Sequence, residues 1–182
     1  YMKIKYYKNF KEDNRPSMEQ YSDQLINYQK ENFKNFEVDF FRPKVDFISN
    51  FIKLKKWRLR YLRYYSYSNQ IKKLPYHDIA HVCEQQYAQL IKCLNSRVKF
   101  ITVHDLVPIV FENQLNKNPF LSKYSLKYLK FYNKVFAISQ NTKNNILKYT
   151  DCPEDKIIII KRSVENFFND KPINKNEICR RF

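Results

Sequence analysis

A chain of 182 residues with 43% hydrophobic and 17% aromatic side chains suits one domain with a substantial core and excludes a disordered polypeptide. Its 34 basic and 18 acidic residues leave a net charge of +16, and no apolar run approaches the roughly 20 residues needed to span a bilayer. Glycine is absent altogether, which rules out GxGxxG and Walker-type phosphate loops.

In chain order, Lys3 to Tyr7 (KIKYY) reads as a first strand and NFKEDNRP as a polar turn. Ser17 then opens a helix. It forms a capping box with Gln20 after Pro16, and Met18, Tyr21, Leu25 and Tyr28 follow at helical spacing. Phe36 to Phe41 is a second strand, closed by Arg42-Pro43. Residues 47 to 77 hold eight basic side chains and no acid, so half of the net charge lies in that segment. A helix there sets Lys53, Lys55, Lys56, Arg58, Arg60 and Arg63 beside Trp57 and several tyrosines, a combination that favours an anionic membrane surface. Each cation near an anionic leaflet is worth about 1 kcal/mol, and Trp settles at the headgroup level. A solvated basic helix packed on a sheet and a nucleic-acid surface are the two other readings of the same pattern.

Asp78 to Cys83 makes a third strand and Gln85 to Leu94 a short helix, with a break at Asn95-Ser96. The run KFITVHDLVPIVF, Lys99 to Phe111, is rich in β-branched residues up to Val103 and then turns polar at His104-Asp105. That is how a buried strand delivers polar side chains to a sheet edge. Residues 105 to 119 read as a loop, and a helix from about Phe120 to Asn133 leads to the strand Val135 to Ile138. Ser139 caps a helix running to Tyr149, Lys156 to Ile160 is the last strand, and a polar tail follows with Phe167 and Phe168 as anchors. Strands alternating with helices predict an α/β fold: a Rossmann-like three-layer domain with a mostly parallel sheet of six or seven strands. The four cysteines form no CxxC pair, which argues against zinc or a disulfide framework and for a reducing compartment; Cys83 and Cys93 read as small buried hydrophobes.

Four stretches, DIAHVCEQQYAQL, KFITVHDLVP, KVFAISQNTKNNILK and DKIIIIKRSVENFF, resemble in order and spacing the N-terminal half of a GT-B glycosyltransferase of the large retaining group, the family 4 type. The resemblance implies an acceptor-binding domain over residues 1–165, with 166–182 starting a linker to a donor-binding domain that the sequence does not include. It implies transfer of a sugar from a nucleotide-sugar donor to a glycan or lipid-linked acceptor, as in polysaccharide biosynthesis. No metal or other cofactor and no nucleic acid are expected, and the location implied is cytoplasmic, peripheral on the inner face of the membrane. The paired glutamates of the family belong to the donor half, so the fragment alone is expected to be inactive.

On the same resemblance His104 matches the histidine beside the reacting sugar and is the expected catalytic residue. Substrate contacts are expected at Arg15, Ser17, His81, Glu84, Asp105, Ser139, Lys161 and Arg162. Where the family places glycines after its first strand, this chain has Asn14-Arg15-Pro16-Ser17. There Arg15 and the amides opening the helix would meet phosphate through charge and dipole. Structural readings stand beside these: His104 closing a strand end, Asp105 bracing its loop, His81 and Glu84 packing and capping, Ser139 only capping, and Lys161 and Arg162 as solvated charge. The alternative function is a nonenzymatic basic module that binds anionic polymer or nucleic acid.

Overall fold

A computed structural model describes residues 1–112 and 120–160. Six strands, β1 (Met2–Tyr7), β2 (Phe36–Phe41), β3 (His77–Val82), β4 (Ser96–Val103), β5 (Lys134–Ala137) and β6 (Ile157–Ile159), form one sheet. Their order is β2-β1-β3-β4-β5-β6 and every pairing is parallel. The helices are α1 (Pro16–Asn32), α2 (Lys55–Tyr61), α3 (Tyr67–Ile71), α4 (Val107–Val110), α5 (Phe120–Leu126) and α6 (Gln140–Tyr149).

Side chains alternate across the pleat, so each strand feeds two cores. One face presents Tyr7, Val82, Ile101, Val135 and Ile157 in register, and the segments α2–α3, 85–92, α5 and α6 supply its cover through Leu62, Tyr67, Leu90, Leu126 and Ile146. The opposite face carries Ile4, Tyr6 and Ile79 beneath Leu25 and Ile26 of α1. Right-handed crossovers explain the division: β1 to β2 runs one way along the sheet and β3 to β6 runs the other, so their helices fall on opposite faces. The fold is therefore the three-layer, Rossmann-like α/β domain that the alternating pattern implies, with the sheet parallel throughout.

Local departures have identifiable causes. α1 begins at Pro16 with Arg15 as its N-cap and no side-chain cap bond, so the Ser17–Gln20 capping box does not form. Proline at the first helical position is pre-set for the helix and takes precedence over the serine cap. The segment Gln85–Lys92 is 3₁₀-helical with a non-helical Tyr87 (φ −107°), whose hydroxyl is committed to Asp13. The basic helix contains a π-helical stretch, Leu62–Ser66, between α2 and α3. Within the expected loop after β4, α4 makes one turn, and the expected helix over 120–133 is α5 followed by a 3₁₀ turn at Leu129–Phe131.

Candidate functional site

Strand order reverses at β1: the chain leaves β1 toward β2, and later leaves β3 toward β4. At such a point the loops diverge and open a crevice outside the carboxyl ends of the strands. Here the loop 8–15 after β1 faces the turn after β3. Asn9 and Arg15 both donate to the Glu84 carboxylate, which is only 1% exposed. Burial raises the Glu84 pKa above the ordinary carboxylate value, and Arg15 and Asn9 pull against that rise. Asp13 accepts from Arg63 Nε at 2.8 Å and Nη2 at 2.5 Å and from the Tyr87 hydroxyl. Lys8 pairs with Glu19 at 2.9 Å and with Asp23, and Arg42 clamps Glu19 through both terminal nitrogens.

Four carboxylates are thus matched by four cations around one loop. The loop also needs a left-handed backbone position, which Asn14 supplies at φ 49°. Asparagine is the residue that tolerates this region best after glycine, so side-chain pairing and one asparagine do the work that glycines do elsewhere. Between the loop, the start of α1 and the end of β2 lies a cleft of about 320 Å³ lined by Asn9, Lys11, Asn14, Arg15, Glu19 and Arg42. Its wall carries three cations to one acid.

Several site expectations are corrected at this mouth. Amides at the start of α1 offer little to an anion: Pro16 has no N–H, and the Met18 and Glu19 amides both donate to the Arg15 carbonyl at 3.1 Å. Ser17 is exposed on the first turn and is not part of the cleft wall. Any phosphate here would be met by Lys11, Arg15 and Arg42, not by a helix terminus.

His104 sits one residue beyond β4, at the expected strand end, but it is 2% exposed rather than open to a ligand. Its Nε2 lies 3.0 Å from the Cys83 carbonyl, which can only accept, so Nε2 carries the proton. Its own amide donates to Gln85 Oε1 at 3.0 Å, its carbonyl accepts from Thr142 Oγ1 at 3.1 Å, and Tyr21 of α1 stands edge-on to the ring at 4.8 Å. The imidazole ties the ends of β3 and β4 together, is buried against Tyr21 of α1 and is not part of the cleft wall. Asp105 braces the following turn by accepting from the Val107 amide at 3.2 Å. Ser139 caps α6, accepting from the Thr142 amide at 3.1 Å.

His81 is not at the mouth. It lies within β3 opposite Tyr6 and Phe100, with Nε2 at 2.8 Å from Thr102 Oγ1. Burial, with His104 close by, pushes its pKa down to about 3, so it is neutral at ordinary pH. It lines an apolar groove of about 350 Å³ beside α1, together with Tyr21, Phe100 and Phe136. Cys83 is buried behind the same helix and its thiol is pushed up to about 12 by desolvation, as a small core residue would be. Lys161 and Arg162, like Phe167 and Phe168, lie outside the described residues.

The basic segment splits in two. Lys53, Lys55, Lys56 and Trp57 are exposed, and Arg60 stacks over the Trp57 ring at 4.8 Å. Arg58 reaches Asn50 Oδ1 at 3.2 Å. Arg63 instead turns inward to Asp13 and leaves the expected membrane-facing set. The exposed Phe51 and Leu54 belong to the apolar set expected beside these cations, but sequence reasoning missed Phe47 and Ile48 just before them: Phe47 is 74% exposed with its ring 5.0 Å from that of Phe51, and Ile48 is exposed too. Four large apolar side chains at a basic edge, in a stretch without acids, were the available signal. No described helix is long and apolar enough to cross a membrane. No protein-family model and no curated protein matches the chain.

Proposed function

We propose that this domain is the acceptor-side half of a retaining GT-B sugar transferase, working peripherally on the cytoplasmic face of an anionic membrane. The observation that carries the reading is the reversal of strand order at β1, with a cleft of about 320 Å³ at the carboxyl ends whose wall bears Lys11, Arg15 and Arg42. The cleft lies on the β2 side of the loop after β1, where Lys11 has no acidic partner among the described residues and Arg15 and Arg42 are shared with Glu84 and Glu19; this set supports contact with the diphosphate of a nucleotide sugar held between this domain and a donor-binding one. In retaining transfer the leaving diphosphate helps to deprotonate the acceptor, so this half contributes chiefly position. His104 then acts as a positioning residue that fixes the strand ends. The exposed apolar and basic edge formed by Phe47, Phe51, Leu54, Trp57 and the neighbouring lysines supports attachment to the bilayer.

The test is sugar transfer by the complete native polypeptide. Lys11→Ala removes an exposed cation of the cleft wall and is expected to raise the KM for the nucleotide sugar about tenfold with little change in melting temperature. Absence of both binding and turnover of nucleotide sugars would overturn the reading. The second reading, a nonenzymatic binder of anionic polymer, is favoured by one observation: Lys53, Lys55 and Lys56 have no acidic partner among the described residues. Retention on an oligonucleotide column, in a protein that does not turn over sugar donors, would select it.

A further inference from the structure

A second pocket, of about 220 Å³, opens between α2 and α5 and is separate from the cleft after β1. Its wall carries Lys56, Arg60 and Arg63 together with Gln86, Ser122 and Ser125, and no acid. Arg63 is fixed there by its bonds to Asp13, so one guanidinium is held in place before any ligand arrives. The walls are braced as well: Tyr64 donates to the Leu121 carbonyl at 3.0 Å, and Ser125, 1% exposed, donates to the Gln86 carbonyl at 3.2 Å. Gln86 Oε1 is buried without a hydrogen-bond partner among the described residues, an acceptor that a ligand hydroxyl would satisfy. Preset guanidinium, two further cations, the Ser122 hydroxyl and one open acceptor make a recognition set for a phosphoryl group that still carries a P–OH or a nearby hydroxyl.

The source of that phosphate follows from what surrounds the pocket. α2 carries Lys56 and Arg60 on the pocket wall and Trp57 between them in sequence, with the Arg60 guanidinium stacked on the exposed Trp57 ring. Just ahead of α2 stand the exposed Phe47, Ile48, Phe51 and Leu54. A cationic pocket sharing a helix with an apolar, Trp-bearing edge fits a ligand whose charged head and hydrocarbon body sit side by side. We propose that this pocket binds the phosphomonoester or diphosphate headgroup of a membrane lipid. On the sugar-transferase reading, which this rests on only for the name of the ligand, that lipid is the acceptor carrier.

The experiment reads binding alone. The 182-residue chain is sedimented with phosphatidylcholine vesicles doped either with phosphatidate, a phosphomonoester lipid, or with phosphatidylserine at matched surface charge. Wild type is expected to prefer phosphatidate about tenfold, because only a phosphomonoester offers the extra charge and the hydroxyl. Lys56→Gln combined with Arg60→Gln is expected to abolish the preference, while Lys72→Gln with Lys73→Gln, outside the pocket, keeps it; circular dichroism verifies that both fold. Equal binding to the two vesicle types, or a preference that survives the pocket variant, overturns the proposal. Calorimetry with inorganic pyrophosphate separates the sources: tight binding of pyrophosphate without vesicle preference assigns the pocket to a soluble phosphate and overturns the lipid. Tighter binding of an oligonucleotide than of phosphatidate vesicles does the same in favour of nucleic acid. Since no transfer is measured, failure here leaves the sugar-transferase reading untouched, and an inactive native enzyme leaves the pocket untouched.

Discussion

Acidification from about pH 7.5 to about pH 5 is expected to cost the native state about 2 kcal/mol through His81 alone. The imidazole lies on the sheet face beneath α1, packed against Tyr6 at 5.1 Å and Phe136 at 5.4 Å between ring centroids. Desolvation, with the repulsion of His104 added, moves its pKa from the ordinary 6.5 to about 3. A base whose folded pKa is depressed adds stability that is fully present above the unfolded value and lost as pH falls toward the folded one. At about pH 5 the unfolded chain binds nearly one more proton here than the native chain. The accumulated gap is about 1.5 pH units, which at about 1.4 kcal/mol per unit gives the figure above.

Urea melts of wild type and His81→Gln at the two pH values measure it. Glutamine keeps a donor near Thr102 Oγ1, which His81 Nε2 meets at 2.8 Å, but it does not titrate. The Tyr6 hydroxyl, whose pKa burial raises, stays neutral throughout, so it does not blur the comparison. The difference between the two proteins is expected to shift by about 2 kcal/mol between the two pH values. Identical pH dependence in both would mean that His81 titrates normally in the native state. In that case α1 does not seal this face, and the placement of Tyr21 over His104 falls with it.

Two further outcomes follow from the mouth. Glu84→Ala strands Arg15 and Asn9 beside an emptied, buried position and is expected to cost about 3 kcal/mol in urea melts, whereas Glu84→Gln, which keeps an acceptor in place, costs about half of that; a loss near zero for the alanine would mean that the loop does not rely on this carboxylate. At the left-handed position, Asn14→Ala is expected to cost about 1 kcal/mol while Asn14→Gly is neutral within a few tenths. Equal melting of the alanine and glycine variants would refute the left-handed assignment.

Much of the architecture was legible because it depends on nearest neighbours in sequence. The segments Ile79–Val82, Ile101–Val103 and Ile157–Ile159 became strands close to where the sequence pattern put them, and Ser139 caps its helix as read. What escaped was decided by residues far away in the chain. Whether His104 reaches an open rim depends on Tyr21, and a strand pattern says nothing of a helix 83 positions earlier. Arg63 looks like one more cation of a basic face until Asp13, in the loop after β1, draws it inward. Likewise Glu84 read as a polar group at a strand mouth, but Asn9 and Arg15 enclose it. Side chains at strand ends face loops whose course the local pattern does not encode, so position was legible and orientation was not.

The same pairings decide where the charge of +16 can act. Around the loop after β1, Asp13, Glu19, Asp23 and Glu84 neutralise Lys8, Arg15, Arg42 and Arg63, several of them within a largely buried setting. Contacts of that kind are screened little by salt. Lys53, Lys55 and Lys56 stand in water, with exposed aromatic groups as neighbours and without acids. Their attraction for an anionic surface is screened over a Debye length of about 8 Å at physiological ionic strength. Moderate salt therefore strips the electrostatic part of surface attachment and leaves the mouth of the sheet intact. A chain without glycine gains a second property from this arrangement: its first loop is held by ion pairs and one asparagine, so the geometry of the cleft is tied to the charge state of carboxylates, Glu84 foremost, rather than to backbone freedom.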